Sequence, residues 1–346
     1  MSRLMRYGAL LAMLVFALSI TTSAATKKTP AKKTTTKTPH YVQGTTQLKG
    51  EYAEFGKTYT LGKNNPFNIT LKSAEYTIDP VNIGDQTYVP TADEKLIVYH
   101  MTYHNPQPNE YHIRWDNFSF TVVDPQSQNH DGLRDLGMEK DKQQCSMSLK
   151  PAQKVDVYGV MPVPSKGEMP KLIIKSDDDL VLRYDLRGKV KGLPAEYTDP
   201  ADKTNTTVLD KIPAKMGVYY PLGELEVKLD KIEINDDPSM GEQTTEEGEV
   251  FLVAYISVKN VGKSPQFMRW DTFDPAIVDT DGVETGNNKD MFQKSKDRSF
   301  SAEIQPGQEV SVRSIFTIPE DTDLKSLSMH FNENKTFVFD ISSVKS

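Results

Sequence analysis

The sequence predicts an all-β protein: two tandem immunoglobulin-like antiparallel β-sandwich domains. Short runs of alternating apolar and polar residues predict it, as do the Asn, Asp, Gly and Pro clusters between them. The third observation is that the chain resembles itself when Glu94 is laid over Glu249. The 346 residues are 37% hydrophobic and 26% charged. That length suits two domains of roughly 100–200 residues, and the content of Tyr, Phe, Val, Ile and Leu excludes wholesale disorder.

The N-terminus reads as a signal peptide over residues 1–25. Arg3 and Arg6 give a positive start, residues 9–20 an apolar stretch, and Ser23-Ala24-Ala25 the small residues of a cleavage site. The apolar stretch is shorter than the roughly 20 residues a membrane-spanning helix needs. No cysteine lies near the cleavage site, so a lipoprotein anchor is not expected. Residues 26–50 carry Lys27, Lys28, Lys32, Lys33, Lys37 and Lys49 among Thr and Pro, with no acid. Such a segment cannot bury enough apolar surface to offset its ordering entropy, and like charges extend it, so a disordered tether is expected.

The first sandwich is expected over residues 51–190. Ile69, Leu71 and Tyr76 mark one strand region; Leu96, Val98 and the following Tyr-His-Met-Thr-Tyr run mark another. Phe118, Phe120 and Val122 alternate with polar residues, as do Val155, Val157 and Gly159 before Pro162 and Pro164. This period of two belongs to half-buried strands. No long helical period occurs, and short helical turns are expected near 134–142 and 288–296. A linker rich in Lys, Asp, Thr and Pro follows over 191–213, and the second sandwich over 214–346.

The self-similarity is gap-free where residues 94–186 lie over 249–341. Asn105 meets Asn260, Arg114-Trp115-Asp116 meets Arg269-Trp270-Asp271, Val123-Asp124 meets Val278-Asp279, and Pro151-Ala152-Gln153 meets Pro306-Gly307-Gln308. Upstream, Leu61-Gly62 resembles Leu222-Gly223. An offset this long fits duplication of a whole domain rather than a solenoid, whose repeats run roughly 20–50 residues.

Each half thus runs from Leu-Gly through a long apolar strand ending in Asn, a Trp-Asp-x-Phe segment, Val-Asp, a Pro turn, and a strand ending in Pro164 or Pro319. This resembles the bacterial family of extracytoplasmic immunoglobulin-like domains of unknown function, related to small secreted immunoprotective antigens. The second half fits better, through Phe273, Asp281-Gly282 and Pro306-Gly307. The first departs at Pro125-Gln126 and Pro151-Ala152, so its turns are expected to differ. The resemblance implies a fold and an accessory role on exported proteins, and no chemistry.

Candidate sites are few. Trp115 and Trp270 are the chain's two tryptophans. With Arg114, Asp116, Arg269 and Asp271 they could stack on and hydrogen-bond a ligand such as a sugar. Otherwise each Trp is core at a strand start and each Arg-Asp pair fastens a loop, the reading that duplication favours. Asp177-Asp178-Asp179, Asp236-Asp237, Glu246-Glu247 and Asp279-Thr280-Asp281-Gly282 match no EF-hand loop, and turn chemistry accounts for Asp-Gly without calcium. His100 and His104 share a strand face without a third ligand, His112 lies beyond them, and surface histidines are expected. Cys145 is the one cysteine, which excludes an intramolecular disulfide, and it reads as a small apolar residue. No nucleophile elbow or nucleotide-binding glycine loop occurs.

The formal charge is −7; setting aside Arg3, Arg6 and the six lysines of the tether leaves −15 on residues 51–346. An acidic body repels a phosphate backbone, so no nucleic-acid partner is expected. The expectation is therefore a non-enzymatic binding or structural accessory protein, periplasmic, cell-surface or secreted, with no cofactor or metal. Its partner would be an envelope or extracellular protein or polysaccharide, and the basic tether could touch an anionic envelope weakly. The alternatives are a carbohydrate-binding module using Trp115 and Trp270, or an unrecognised hydrolase.

Overall fold

A computed structural model describes residues 52–176, 181–240, 243–285, 291–331 and 333–344. The signal peptide, the tether and the Asp177-Asp178-Asp179 cluster lie outside the described residues. The fold is all-β and, among the described residues, the strands pair antiparallel apart from two short parallel pairings and a parallel bridge between Ala53 and Tyr184. The one helical element among the described residues is the 3-10 turn Ala195–Tyr197, and no described helix is long and apolar enough to cross a membrane.

In the first sandwich one sheet runs in the order Thr58–Leu61, Phe67–Thr77, Glu94–His104, Lys154–Pro164, Asp135–Met138, with Val190–Lys191 added alongside Phe67–Thr77. The facing sheet runs Val181–Asp185, Lys171–Lys175, Ser119–Val123, Asn129–Asp131. In the second sandwich the order is Tyr220–Leu222, Leu225–Asn235, Glu249–Asn260, Glu309–Pro319, Met291–Gln293, facing Lys211–Ala214, Thr336–Asp340, Leu324–Met329, Ala276–Asp279, Glu284–Thr285. Alternation sets the inner faces. Tyr99, Met101 and Tyr103 point inward from one strand, and Phe120 and Val122 from the opposite sheet, so that Tyr99 and Phe120 meet at 6.3 Å. Tyr220 against Phe337, at 5.0 Å, closes the second sandwich in the same way. Cys145 is buried in the first core, where burial pushes its thiol up to about 11.

Strand register repeats with the sequence offset. Glu94 pairs with Pro164 and Glu249 with Pro319. The fully buried Asn105 amide donates to the Asn109 and Leu149 carbonyls (2.7 and 2.9 Å) and accepts from the Gln107 N–H (3.0 Å). Asn260 donates to Ser264 and Ile304 (2.8 and 2.9 Å) and accepts from Gly262 (2.9 Å). Each asparagine thus ties the end of its long strand to the next loop and to the ribbon beyond it.

The expected difference in turns is not found. Ala152 adopts φ 61° where Gly307 has 78°, and both donate their N–H to the strand-closing asparagine carbonyl. Ser127 adopts φ 64° where Gly282 has 83°. In both of those turns an Asp side chain, Asp124 or Asp279, accepts the N–H four residues on, at 2.8 Å. Backbone hydrogen bonds hold the turn, so Ala and Ser accept a left-handed conformation that glycine takes without strain.

The helical expectations fail. Asp135–Met138 is a strand on Lys154–Pro164, where Gly137 fits under the Tyr158 ring. Met291–Gln293 pairs with Glu309–Pro319, and the rest of 288–296 is a turn or lies outside the described residues. An unpaired sheet edge offers backbone bonds that outweigh a marginal local helix.

The linker is itself folded. Asp202 accepts the Thr204, Thr206 and Thr207 N–H groups at 2.9, 3.0 and 2.7 Å. Burial raises its carboxyl, but the Thr204 hydroxyl bond together with those N–H bonds outweighs burial and holds it well below the usual range. The loop covers Lys95, whose fully buried amine donates to the Gly167 carbonyl at 2.6 Å and to the Thr206 carbonyl, 4.4 Å over the Tyr76 ring. Beyond the loop, Lys211–Ala214 pairs in parallel with Thr336–Asp340, so the second sandwich begins within the expected linker.

The sandwiches meet end to end. The hairpin Val81–Ile83/Gln86–Tyr88 reaches from the first to the second. Asn82 Nδ2 donates to the Val261 carbonyl (3.1 Å), and Thr87 Oγ1 accepts from the Lys263 N–H (3.0 Å). The Ala92 N–H donates to the Glu333 carbonyl (2.5 Å), and the buried Lys335 amine donates to the Ala92 carbonyl. The main apolar core is one contiguous cluster through both sandwiches, and two smaller clusters, around Leu96 and Tyr158 and around Phe251 and Phe292, lie apart from it.

Candidate functional site

The Arg-Trp-Asp segments sit in matching turns. In the first sandwich Tyr111–Ile113 pairs with Met147–Leu149 as a two-stranded ribbon, and the turn follows it. In the second the ribbon is Gln266–Arg269 with Ser301–Ile304. Each turn is closed at its start, the Arg114 N–H donating to Asn117 Oδ1 and the Arg269 N–H to Thr272 Oγ1 at 2.7 Å. Arg114 Nε donates to Asp116 Oδ1 at 2.9 Å and its Nη2 to Oδ2. Arg269 binds Asp271 through the same atoms, at 3.0 and 2.7 Å. Two-point pairing fixes the orientation of both groups.

Trp115 is 44% exposed and Trp270 45%. The expected core role therefore fails for the tryptophans, whereas the Arg-Asp pairs do fasten their loops. Each indole stands on a tight turn beyond the sheet ends, outside the alternation that directs side chains inward. Phe267 is 64% exposed on the second ribbon; the first ribbon has His112 at that position, 3.4 Å from Ser148 Oγ. The bond from Arg114 lowers the Asp116 carboxyl, which therefore stays ionised at neutral pH and cannot serve as a general acid there. The arrangement offers a flat ring face beside fixed donors and acceptors, which suits binding.

The remaining candidates resolve into local structure. His100 bonds Glu139 through Nδ1 and lies 3.5 Å from Glu75. His104 and Asn68 meet at 3.0 Å. Asp237 donates its N–H to Asn235 Oδ1, and Glu246 its N–H to Glu249 Oε2. Among the described residues no three His, Cys, Asp or Glu side chains gather as metal ligands.

Sequence reasoning missed the interdomain hairpin, the buried Lys95 and the Asp202 loop. For the hairpin a signal existed: Ile83-Gly84-Asp85-Gln86-Thr87 is matched by Met240-Gly241-Glu242-Gln243-Thr244. Lys95 and Asp202 carry no such mark, because their roles depend on what folds over them.

The chain is similar to an uncharacterized beta-sandwich protein from Clostridium difficile 630, at 20% identity and a TM-score of 0.30, over 38% of this chain and 95% of that one. It is similar too to a conserved hypothetical protein from Bacillus anthracis, at 15% identity and a TM-score of 0.25, over 35% of this chain and 92% of that one. No curated protein matches it. Residues 215–337, most of the second sandwich, match the family described as a domain of unknown function, DUF4352.

Proposed function

We propose that the chain is an exported, non-enzymatic accessory protein of the cell envelope or extracellular space. In this reading two copies of one immunoglobulin-like sandwich present duplicated Arg-Trp-Asp turns to a partner. The observation that carries it is the pair of half-exposed tryptophans, each beside an Arg-Asp fork. Exposed aromatic side chains with fixed polar neighbours are the usual anchors of binding surfaces. The shared register and turns support duplication, and the charge and spacing of residues 1–25 support export.

The test is retention of the purified exported chain on bacterial envelope fractions, compared with a Trp115→Ala/Trp270→Ala variant. Retention of the first and release of the second is the expected result. Equal retention of both overturns the binding reading, as does glycan or peptide hydrolysis abolished by a single point mutation. For export, residues 1–25 fused to a reporter active only outside the cytoplasm should give activity, and an inactive fusion refutes that part.

A further inference from the structure

The first sandwich has an open groove of about 320 Å³ at its free end, away from the joint. The turn after Thr58–Leu61, the Arg-Trp-Asp turn and the end of Lys171–Lys175 converge there. Asn64, Asn65, Asn117 and Ser176 supply polar groups to its walls, and Tyr111 and Phe118 supply ring surface. The volume lies at the low end of the roughly 300–1,000 Å³ common for small-molecule sites.

The fold does not require this space. In the second sandwich the residue at the position of Ser176 is Phe331, whose ring packs edge-on against Phe273, the counterpart of Phe118, at 6.0 Å. There Phe331 and Asn334 also close over Gly223, which corresponds to Gly62. Serine at 176 removes that ring. The equivalent end of the second sandwich is further covered, since its loops at 261–263 and 333–335 receive the first sandwich.

We infer that this groove binds a neutral saccharide, with Tyr111 offering ring surface on the same walls as Asn117. The inference rests on the binding reading above and names its ligand. Among the described residues no charged side chain lines the groove, so none of them compensates an anion or a cation. Primary amides both donate and accept, as sugar hydroxyls do. Asn64 and Asn65 are exposed, and Asn117 uses its Oδ1 on the Arg114 N–H while its Nδ2 has no partner among the described residues. The partly exposed Tyr111 ring suits the C–H face of a pyranose, whose edges carry the hydroxyls.

The experiment is a ligand-observed NMR titration of the full exported chain with cellotriose, maltotriose, tri-N-acetylchitotriose and, as a charged comparison, trigalacturonate. At least one neutral trisaccharide should bind saturably, with a Kd on the order of 1 mM. Ser176→Phe, which restores the ring of the second sandwich, should weaken it at least about tenfold. Asn64→Ala/Asn65→Ala should do the same, and since both side chains are exposed it decides the matter if Ser176→Phe does not fold. The inference is overturned if no neutral trisaccharide binds below about 20 mM, if binding survives the double alanine variant, or if trigalacturonate binds more tightly. Envelope retention that persists without saccharide binding sinks this assignment and leaves the binding reading standing; loss of both sinks both.

Discussion

Replacing Asn260 with alanine tests whether the strand-closing asparagines hold each sandwich together. The substitution removes donors to the Ser264 and Ile304 carbonyls and the acceptor for the Gly262 N–H. Three bonds at a net value near 1 kcal/mol each give about 3 kcal/mol. The carbonyls differ in their alternatives. Ser264 is exposed and can turn to water, whereas Ile304 is fully buried and its carbonyl would be left unpaired. That orphan alone costs about 1–3 kcal/mol, so the total should stay near 3 kcal/mol. Asn105→Ala should cost about the same, within roughly 1 kcal/mol, because its three bonds correspond one for one. Asn260→Asp keeps the acceptor but sets carboxylate oxygens against two carbonyls, and should cost at least as much as alanine. Urea unfolding followed by far-ultraviolet circular dichroism measures these losses; at a slope of about 1–3 kcal/mol/M the midpoint should fall by about 1 M or more. A loss below about 0.5 kcal/mol for Asn260→Ala would refute the reasoning, since a fully buried amide with three partners cannot be that cheap.

Other outcomes follow from the same geometry. Ala152→Gly should stabilise by about 0.5 kcal/mol, since relief of the left-handed cost of about 1–2 kcal/mol outweighs glycine's added chain entropy; a thermal melt that shows destabilisation contradicts it. Gly137→Ala should destabilise by about 1–3 kcal/mol, because a Cβ there would lie 2.5 Å from the Tyr158 ring; unchanged urea unfolding would exclude that clash. Burial holds the Lys95 amine down to about 7 from 10.5. A pKa lower in the folded state means that the unfolded chain binds the proton first. Stability from this group is therefore complete above pH 10.5, falls as the pH drops towards 7 at no more than about 1.4 kcal/mol per unit, and levels off below. Lys95→Met should flatten that slope while lowering stability overall, because two carbonyls lose their donor; a slope unchanged in the variant argues against Lys95 as its source. Both tryptophans should emit at long wavelength and be strongly quenched by acrylamide, whereas blue-shifted, unquenched emission would show them buried.

The alternation of Phe118–Val122 marks a strand without any knowledge of partners, because a period of two is a property of one strand and the two faces it separates. The offset that lays Asn105 over Asn260 and Trp115 over Trp270 was also legible in the chain, as was the Pro-x-Gln turn. The strand at Asp135–Met138 was not, because a sheet edge waiting for a partner is a tertiary fact. Whether Trp115 is core or surface could not be read either: the residue follows the ribbon by two positions, and only the turn that Arg114 and Asn117 close together decides which way an indole faces. The groove is the extreme case. Ser176 is an unremarkable serine until it is seen to stand where Phe331 fills space in the other sandwich. The sequence by itself determined most of the strands and the offset at which the chain resembles itself, which depend on neighbours along the chain. Tertiary structure alone decided the joint at Asn82 and Thr87, the burial of Lys95 and the exposure of both tryptophans, because each depends on which distant segments fold over a residue and which do not.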